Sequence, residues 1–153
     1  MSDSSKAPEG GGAGNTEAST SSTDRPEVDP ASPYALIGGD EGVRALVNEF
    51  YDLMDRLPEV KTIREMHKGD LNEMREKLSV FLIGWMGGPQ NYTERFGRVI
   101  IPLAHQPFDI GDAESDQWLL CMRRALQTSK LDEAMQNRLM VSFTRMALMC
   151  KTR

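Results

Sequence analysis

Between Asp40 and Leu57 the apolar residues Val43, Leu46, Val47, Phe50, Tyr51, Met54 and Leu57 recur at intervals of three and four. That spacing lines one face of an α-helix and nothing else in the chain constrains the fold as strongly. Pro58 ends this helix and starts a shorter one reaching about Met66, closed by the basic, glycine-terminated "HKG". Asp70 is placed to cap the next helix, where Leu71, Met74, Leu78, Phe81, Leu82 and Trp85 repeat the pattern until "GGP" at 87–89 stops it. Two further faces follow: Trp118, Leu119, Met122, Ala125 and Leu126, then Met135, Leu139, Ser142, Phe143, Met146 and Met149. No alternating strand pattern competes, so the expected fold class is all-α.

The periodicity fails between Gly88 and Gly111, although Val99, Ile100, Ile101, Leu103, Phe108 and Ile110 make the segment too apolar for a solvated linker. Long connections in a compact domain tend to be functional. Inside this one, "PLAHQPFDIG" carries His105, one of two histidines in the chain. Two readings stand at this point. His105 is a histidine with a satisfied ring in a plain helical bundle with a long loop, or it is the ligand of a metal or planar cofactor walled by the four helices.

Residues 1–33 are nearly all Ser, Thr, Gly, Pro, Ala and acidic residues, a composition that cannot bury enough apolar surface to offset its ordering entropy. They are expected to form a disordered tail ahead of one domain at 34–153. The tail holds six acids (Asp3, Glu9, Glu17, Asp24, Glu27, Asp29) and two bases (Lys6, Arg25), a net −4 of the chain's −5. A nearly neutral domain with an acidic tail does not suit a nucleic-acid partner, which demands concentrated positive charge. No apolar run is long enough to span a bilayer and no secretory signal opens the chain, so a cytoplasmic protein with no membrane partner is expected. Cys121 and Cys150 lack C-x-x-C spacing and read as reduced thiols packed in helices.

Four stretches in order carry a resemblance: "YALIGGDEGVRALVNEFYDLMDRLP", "IREMHKGDLNEMREKLSVFLIGWMGGP", "LAHQPFDIG" and "DQWLLCMRRAL". Together they resemble the group II truncated haemoglobins, two-over-two helical sandwiches around haem, over essentially all of residues 34–150. The resemblance implies haem b (iron protoporphyrin IX) as cofactor. It makes the histidine of the "HxPF" motif, His105, the proximal iron ligand, with its other ring nitrogen donating to a backbone carbonyl. Prolines 102 and 107 then keep the ligand-bearing turn short.

On the opposite, distal side the resemblance implies Tyr51, Trp118 and His67. Each has a plainer role to compete with. Tyr51 belongs to an apolar stripe, Trp118 opens a hydrophobic face, and His67 stands where a helix-end histidine would face the dipole. Buried Tyr O–H and Trp N–H groups need acceptors, and a polarised O2 ligand is one. Phe50, Met74, Leu78 and Phe81 are expected around the pocket, with Phe108 and Ile110 following the proximal turn. Two departures from the family pattern stand out. Met74 fills a position where many relatives carry a small residue. "GRVI" replaces a "GHPR"-like stretch, leaving Arg98 where His is usual, so Lys77 and Arg98 become the candidates for the haem propionates, against a role as solvated charges.

The implied function is binding of O2, CO or NO at an open iron position. Several distal donors slow ligand release, which suits redox chemistry such as NO detoxification (an NO dioxygenase) or peroxidase-like handling of peroxide, with a reductase as partner, better than simple oxygen transport. Non-enzymatic storage or ligand sensing by a monomer or homodimer is the alternative, and a cofactor-free helical interaction module the remote one.

Overall fold

The computed structural model describes residues 27–68 and 70–153. Its helices run α1 (Pro33–Ile37), α2 (Gly39–Arg56), α3 (Lys61–Met66), α4 (Leu71–Trp85), α5 (Tyr92–Phe96), α6 (Ile101–His105), α7 (Asp112–Gln127) and α8 (Glu133–Met149), with a 3-10 turn at Pro58–Val60. No strand occurs among the described residues, as the sequence periodicity implies. Several helices begin where a side chain can satisfy the free N–H groups of a first turn. Ser32 Oγ accepts from Ala35 N–H at 3.1 Å, Asp70 Oδ1 from Asn72 N–H at 2.9 Å, and Asp132 Oδ1 from Met135 N–H at 2.8 Å.

The apolar face of α2 is the centre of the molecule. Val43, Val47 and Phe50 are fully buried, and Leu46 and Met54 nearly so. Burying such a side chain stabilises a fold by roughly 1.5–3 kcal/mol before entropy is counted. α2 packs against α4 and α7, and α7 against α8, which gives the two helix pairs of the expected sandwich. At the end of α4 the chain must pass close under α1: Tyr34 N–H donates to Met86 O at 2.9 Å, and a Cβ at Gly88 would lie 2.7 Å from the Tyr34 ring. The "GGP" stop is therefore also a packing requirement. Among the described residues no helix is long and apolar enough to cross a membrane.

Three local features differ from the periodicity reading. The proposed single helix from Pro58 to Met66 is a 3-10 turn followed by α3, because Val60, at φ −113° and ψ 22°, leaves helical geometry between them. The irregular segment 88–111 contains two five-residue helices, α5 and α6, separated by Gly97 at φ +85°. Elements of one turn are too short to produce a visible periodicity, so they escaped it. Pro33, taken as the last residue of the tail, opens α1 with Ser32 as its cap; residues 1–26 lie outside the described residues.

Candidate functional site

His105 is the last residue of α6 and is half-buried. Its Nδ1 lies 2.8 Å from Ile101 O, one turn back. A carbonyl only accepts, so Nδ1 carries the proton and Nε2 is left with a lone pair for a metal. Pro102 sits in the first turn of α6, where no intrahelical N–H is needed, so it fixes φ without costing a bond.

Tyr51, on α2, is only 3% exposed, yet its hydroxyl donates to none of the described residues. No buried side-chain N or O atom among them is sealed without a partner, so the Tyr51 Oη must open onto reachable space. Around it stand the other expected distal residues. The His67 ring meets Tyr51 edge to face at 5.9 Å between centroids. Phe50 lies 5.0 Å from Tyr51 and 5.2 Å from Trp118, joining the two from beneath and itself fully buried. The Trp118 Nε1 likewise donates to no described side chain or carbonyl. His67, just past α3, places Nδ1 2.8 Å from Ile63 O. This is the helix-end arrangement that competed with a distal role, and it coexists with the contact to Tyr51.

Burial pushes the Tyr51 phenol up to about 12, against the pull of the Arg75 charge, so at neutral pH it is a donor. Burial pushes His67 below the ordinary imidazole value; its bond to Ile63 O opposes this, and the charges of Arg64 and His105 add to it. His67 is neutral at pH 7.

The walls are apolar and incompletely covered. Met74, Leu78 and Phe81 on α4, Trp118 and Leu119 on α7 and Met146 on α8 are partly buried against the core. Tyr92 and Phe96 on α5 continue the surface from Phe81, with centroid separations of 5.9 and 5.1 Å along the chain of rings. Past His105, Phe108 is 42% exposed and Ile110 half-buried. Lys77 Nζ lies 3.3 Å from Glu73 and 5.7 Å from the centre of the Phe96 ring. Arg98 is exposed and forms no ion pair with a described residue.

Sequence reasoning missed the supports of this site. Arg75 lies 5.7 Å from the Tyr51 ring centre, held by Asn48 O at 3.0 Å and Asp52 Oδ1 at 2.8 Å. Gln117 Oε1 accepts from Ile63 N–H at 3.2 Å and ties α3 to α7 beside Trp118. Arg44 and Arg95 both grip Glu76 at 2.6 Å, linking α2, α4 and α5. No signal of local spacing marks these long-range pairs, and Tyr92 and Phe96 lay in a segment without periodicity.

These residues fit a haem. Among the described residues no three His, Cys, Asp or Glu side chains converge to hold a bare ion, so a metal held at the His105 nitrogen would need its other ligands from a cofactor, such as a porphyrin. Partly covered apolar and aromatic side chains suit its faces, and the unpartnered Tyr51 and Trp118 donors suit a polar ligand beside it. Comparison with known proteins agrees. Residues 32–152 match the family model described as bacterial-like globin. The chain is 37% identical over 95 residues, 62% of its own length and 69% of the other's, to the group 2 truncated hemoglobin YjbI of Bacillus subtilis (strain 168). The group II 2-on-2 hemoglobin of Agrobacterium tumefaciens superposes with a TM-score of 0.75 at 37% identity, covering 79% of this chain and 94% of that one. The cold-adapted truncated hemoglobin of Pseudoalteromonas haloplanktis TAC125 does so with a TM-score of 0.77 at 31% identity, covering 80% and 98%. The chain belongs to the bacterial-like globin family as a group II truncated haemoglobin, a haem b globin that binds gaseous ligands.

Proposed function

We propose that His105 Nε2 is the proximal iron ligand, that Tyr51, Trp118 and His67 form the distal donor set, and that the protein holds O2 for redox chemistry rather than delivering it. The observation that carries this reading is the Tyr51 hydroxyl: buried as a residue, raised in pKa and therefore protonated, and donating to no acceptor among the described residues. When bound, the haem supplies one open coordination position for a diatomic ligand. Everything else falls to the chain. His105, oriented by Ile101 O, presents its Nε2. Tyr51 Oη and Trp118 Nε1 donate to a ligand that carries partial negative charge, and each such bond is worth roughly 1.5–3 kcal/mol to a charged acceptor. His67, neutral with Nδ1 committed to Ile63 O, has Nε2 as its remaining polar atom. Met74, Leu78 and Phe81 keep the distal wall apolar and exclude water, while Phe108 and Ile110 follow the proximal turn. Lys77 and Arg98 are the cations proposed for the propionates; Lys77 already pairs with Glu73, whereas Arg98 pairs with no carboxylate among the described residues.

Donors that slow O2 release favour reaction over transport. The reaction proposed is NO + O2 + one electron → NO3−, which balances in atoms and charge and draws its electron from a one-electron reductase. Mixing O2-loaded protein with NO in a stopped-flow instrument tests it: stoichiometric nitrate within the mixing time, sustained when a one-electron reductant is added, is expected. Displacement of O2 without nitrate would reject it.

A further inference from the structure

Among the described helices α6, which carries His105, has the least support from the polypeptide itself. It buries none of its five residues, and it takes no part in the main helix pairings. A helix this short does not persist without tertiary support. The lead-in gives none: a Cβ at Gly97 would meet nothing within 4 Å. The support lies on the other side, in the residues that follow α8. Thr152 Oγ1 donates to Phe108 O at 2.6 Å and accepts from Ile110 N–H at 2.8 Å. Ile110 O accepts from Thr152 N–H at 2.8 Å and from Arg153 N–H at 3.2 Å. The Arg153 guanidinium pairs with Asp109 and with Glu114, and Lys151 with Asp112. Glu114, nearly buried, also accepts from Gly111 N–H at 2.7 Å. A Cβ at Gly111 would come within 2.7 Å of Arg153 Nη1, so the turn and the strap fit one another closely. The turn passes the restraint on, because Phe108 N–H donates to His105 O at 3.0 Å.

We propose that Lys151–Arg153 is a clamp whose positioning residues, Thr152 and Arg153, hold the Phe108–Gly111 turn and through it set the position of the His105 imidazole. The proposal rests on His105 being the proximal ligand. Groups that orient a metal-bound histidine from outside its ligand shell typically change metal affinity about 10- to 100-fold when removed. This clamp acts in the same way, on the backbone that carries the ring. It also spans from the proximal turn to the start of α7, the helix of Trp118.

The test uses the holoprotein with Thr152→Val, Arg153→Met and the double variant. Two readouts apply: the iron–histidine stretching band of the ferrous ligand-free form in resonance Raman, and the rate of haem transfer to excess apomyoglobin. The double variant should broaden or shift the band and speed haem loss by about tenfold, while Thr152→Ser alone, which keeps the hydroxyl, should leave both as in the parent. Leu139→Ala, a core truncation on α8, controls for stability alone and should leave the band in place. Should the double variant lose its fold, amide exchange over residues 101–111 in the Thr152→Val holoprotein must be faster than in the parent, and equal exchange overturns the clamp. An unchanged band with haem loss within twofold of the parent overturns the clamp, provided His105→Gly changes both. If His105→Gly changes neither, the proximal assignment itself has failed, and the clamp with it.

Discussion

The rings of Tyr51 and His67 meet edge to face, 5.9 Å between centroids and 77° between planes. The contact brings the middle of α2 against the residue that closes α3, and each partner is held by something else: Tyr51 by Phe50 at 5.0 Å, His67 by Ile63 O at 2.8 Å. A phenol and a neutral imidazole therefore face one another with little rotational freedom, which is what a preorganised ligand pocket needs.

The phenol should titrate late. Burial raises Tyr51 from 10.0 to about 12, so the native state holds its proton where the unfolded chain releases it. The associated stability is complete below about pH 10 and is lost as pH rises through about 12, by roughly 2–3 kcal/mol. Denaturant unfolding of the parent and Tyr51→Phe across this range should diverge, the parent losing more. Parallel curves would show that Tyr51 is not desolvated.

O2 should leave faster when the distal donors go. Trp118→Phe keeps the aromatic body against Phe50 and Phe143 and removes only the N–H. If that bond contributes roughly 1.5–3 kcal/mol, O2 dissociation accelerates by about one to two decades, and CO, less polarised, responds much less. Tyr51→Phe alone should do less if Trp118 and His67 compensate, so the double variant is the stricter test. O2 dissociation within twofold of the parent in both variants would return Trp118 to an ordinary core role.

His67 should not bind the iron. The bond from Nδ1 to Ile63 O leaves Nε2 free, but the ring packs edge to face on Tyr51, and reaching the iron would draw it out of that contact. The ligand-free ferrous protein is accordingly expected to be high-spin. A low-spin bis-histidine spectrum that disappears in His67→Ala would contradict this.

The sequence made the long helices legible because each repeats its apolar face over about two to four turns: Val43 to Met54 on α2 and Met135 to Phe143 on α8 are buried as their spacing implies. It was silent on α5 and α6, which last one turn each, and on α1 at Pro33–Ile37, whose cap and first residue the composition reading assigns to the tail. At the site, His105, Tyr51, His67 and Trp118 are the residues that the motif resemblance proposes. Their supports, Arg75 beneath Tyr51, Gln117 on Ile63 and Thr152 on the proximal turn, are 24, 54 and 44 residues from the groups they hold, respectively. Pairs so distant in sequence are fixed only by the packing of α2, α4, α7 and α8.

The boundary of the first segment can be tested directly. Removing residues 1–26, which contain no apolar stripe, should leave ligand affinity and melting temperature unchanged. Removing residues 1–33 also takes Ser32, whose hydroxyl caps α1, and Pro33, its first residue. Ser32→Ala alone should cost about 1 kcal/mol, read by chemical denaturation. Equal stability of the two truncations would show that α1 needs no cap.

His105→Gly gives the most direct test of the iron ligand, because it removes the ring and leaves space that exogenous imidazole can enter. α6 buries none of its residues, so the substitution opens no core cavity, and a change in haem binding reports on ligation rather than on folding. The glycine lies at the last position of α6, where its conformational cost, about 1 kcal/mol against alanine, is at its smallest. We expect weak haem retention in the variant, a spectrum without a histidine-ligated ferrous form, and recovery of both on adding imidazole. Recovery by imidazole is the discriminating result, since a general loss of structure would not respond to it. Parent-like haem spectra and retention in His105→Gly without imidazole would overturn the assignment and leave His67 as the remaining histidine in the chain.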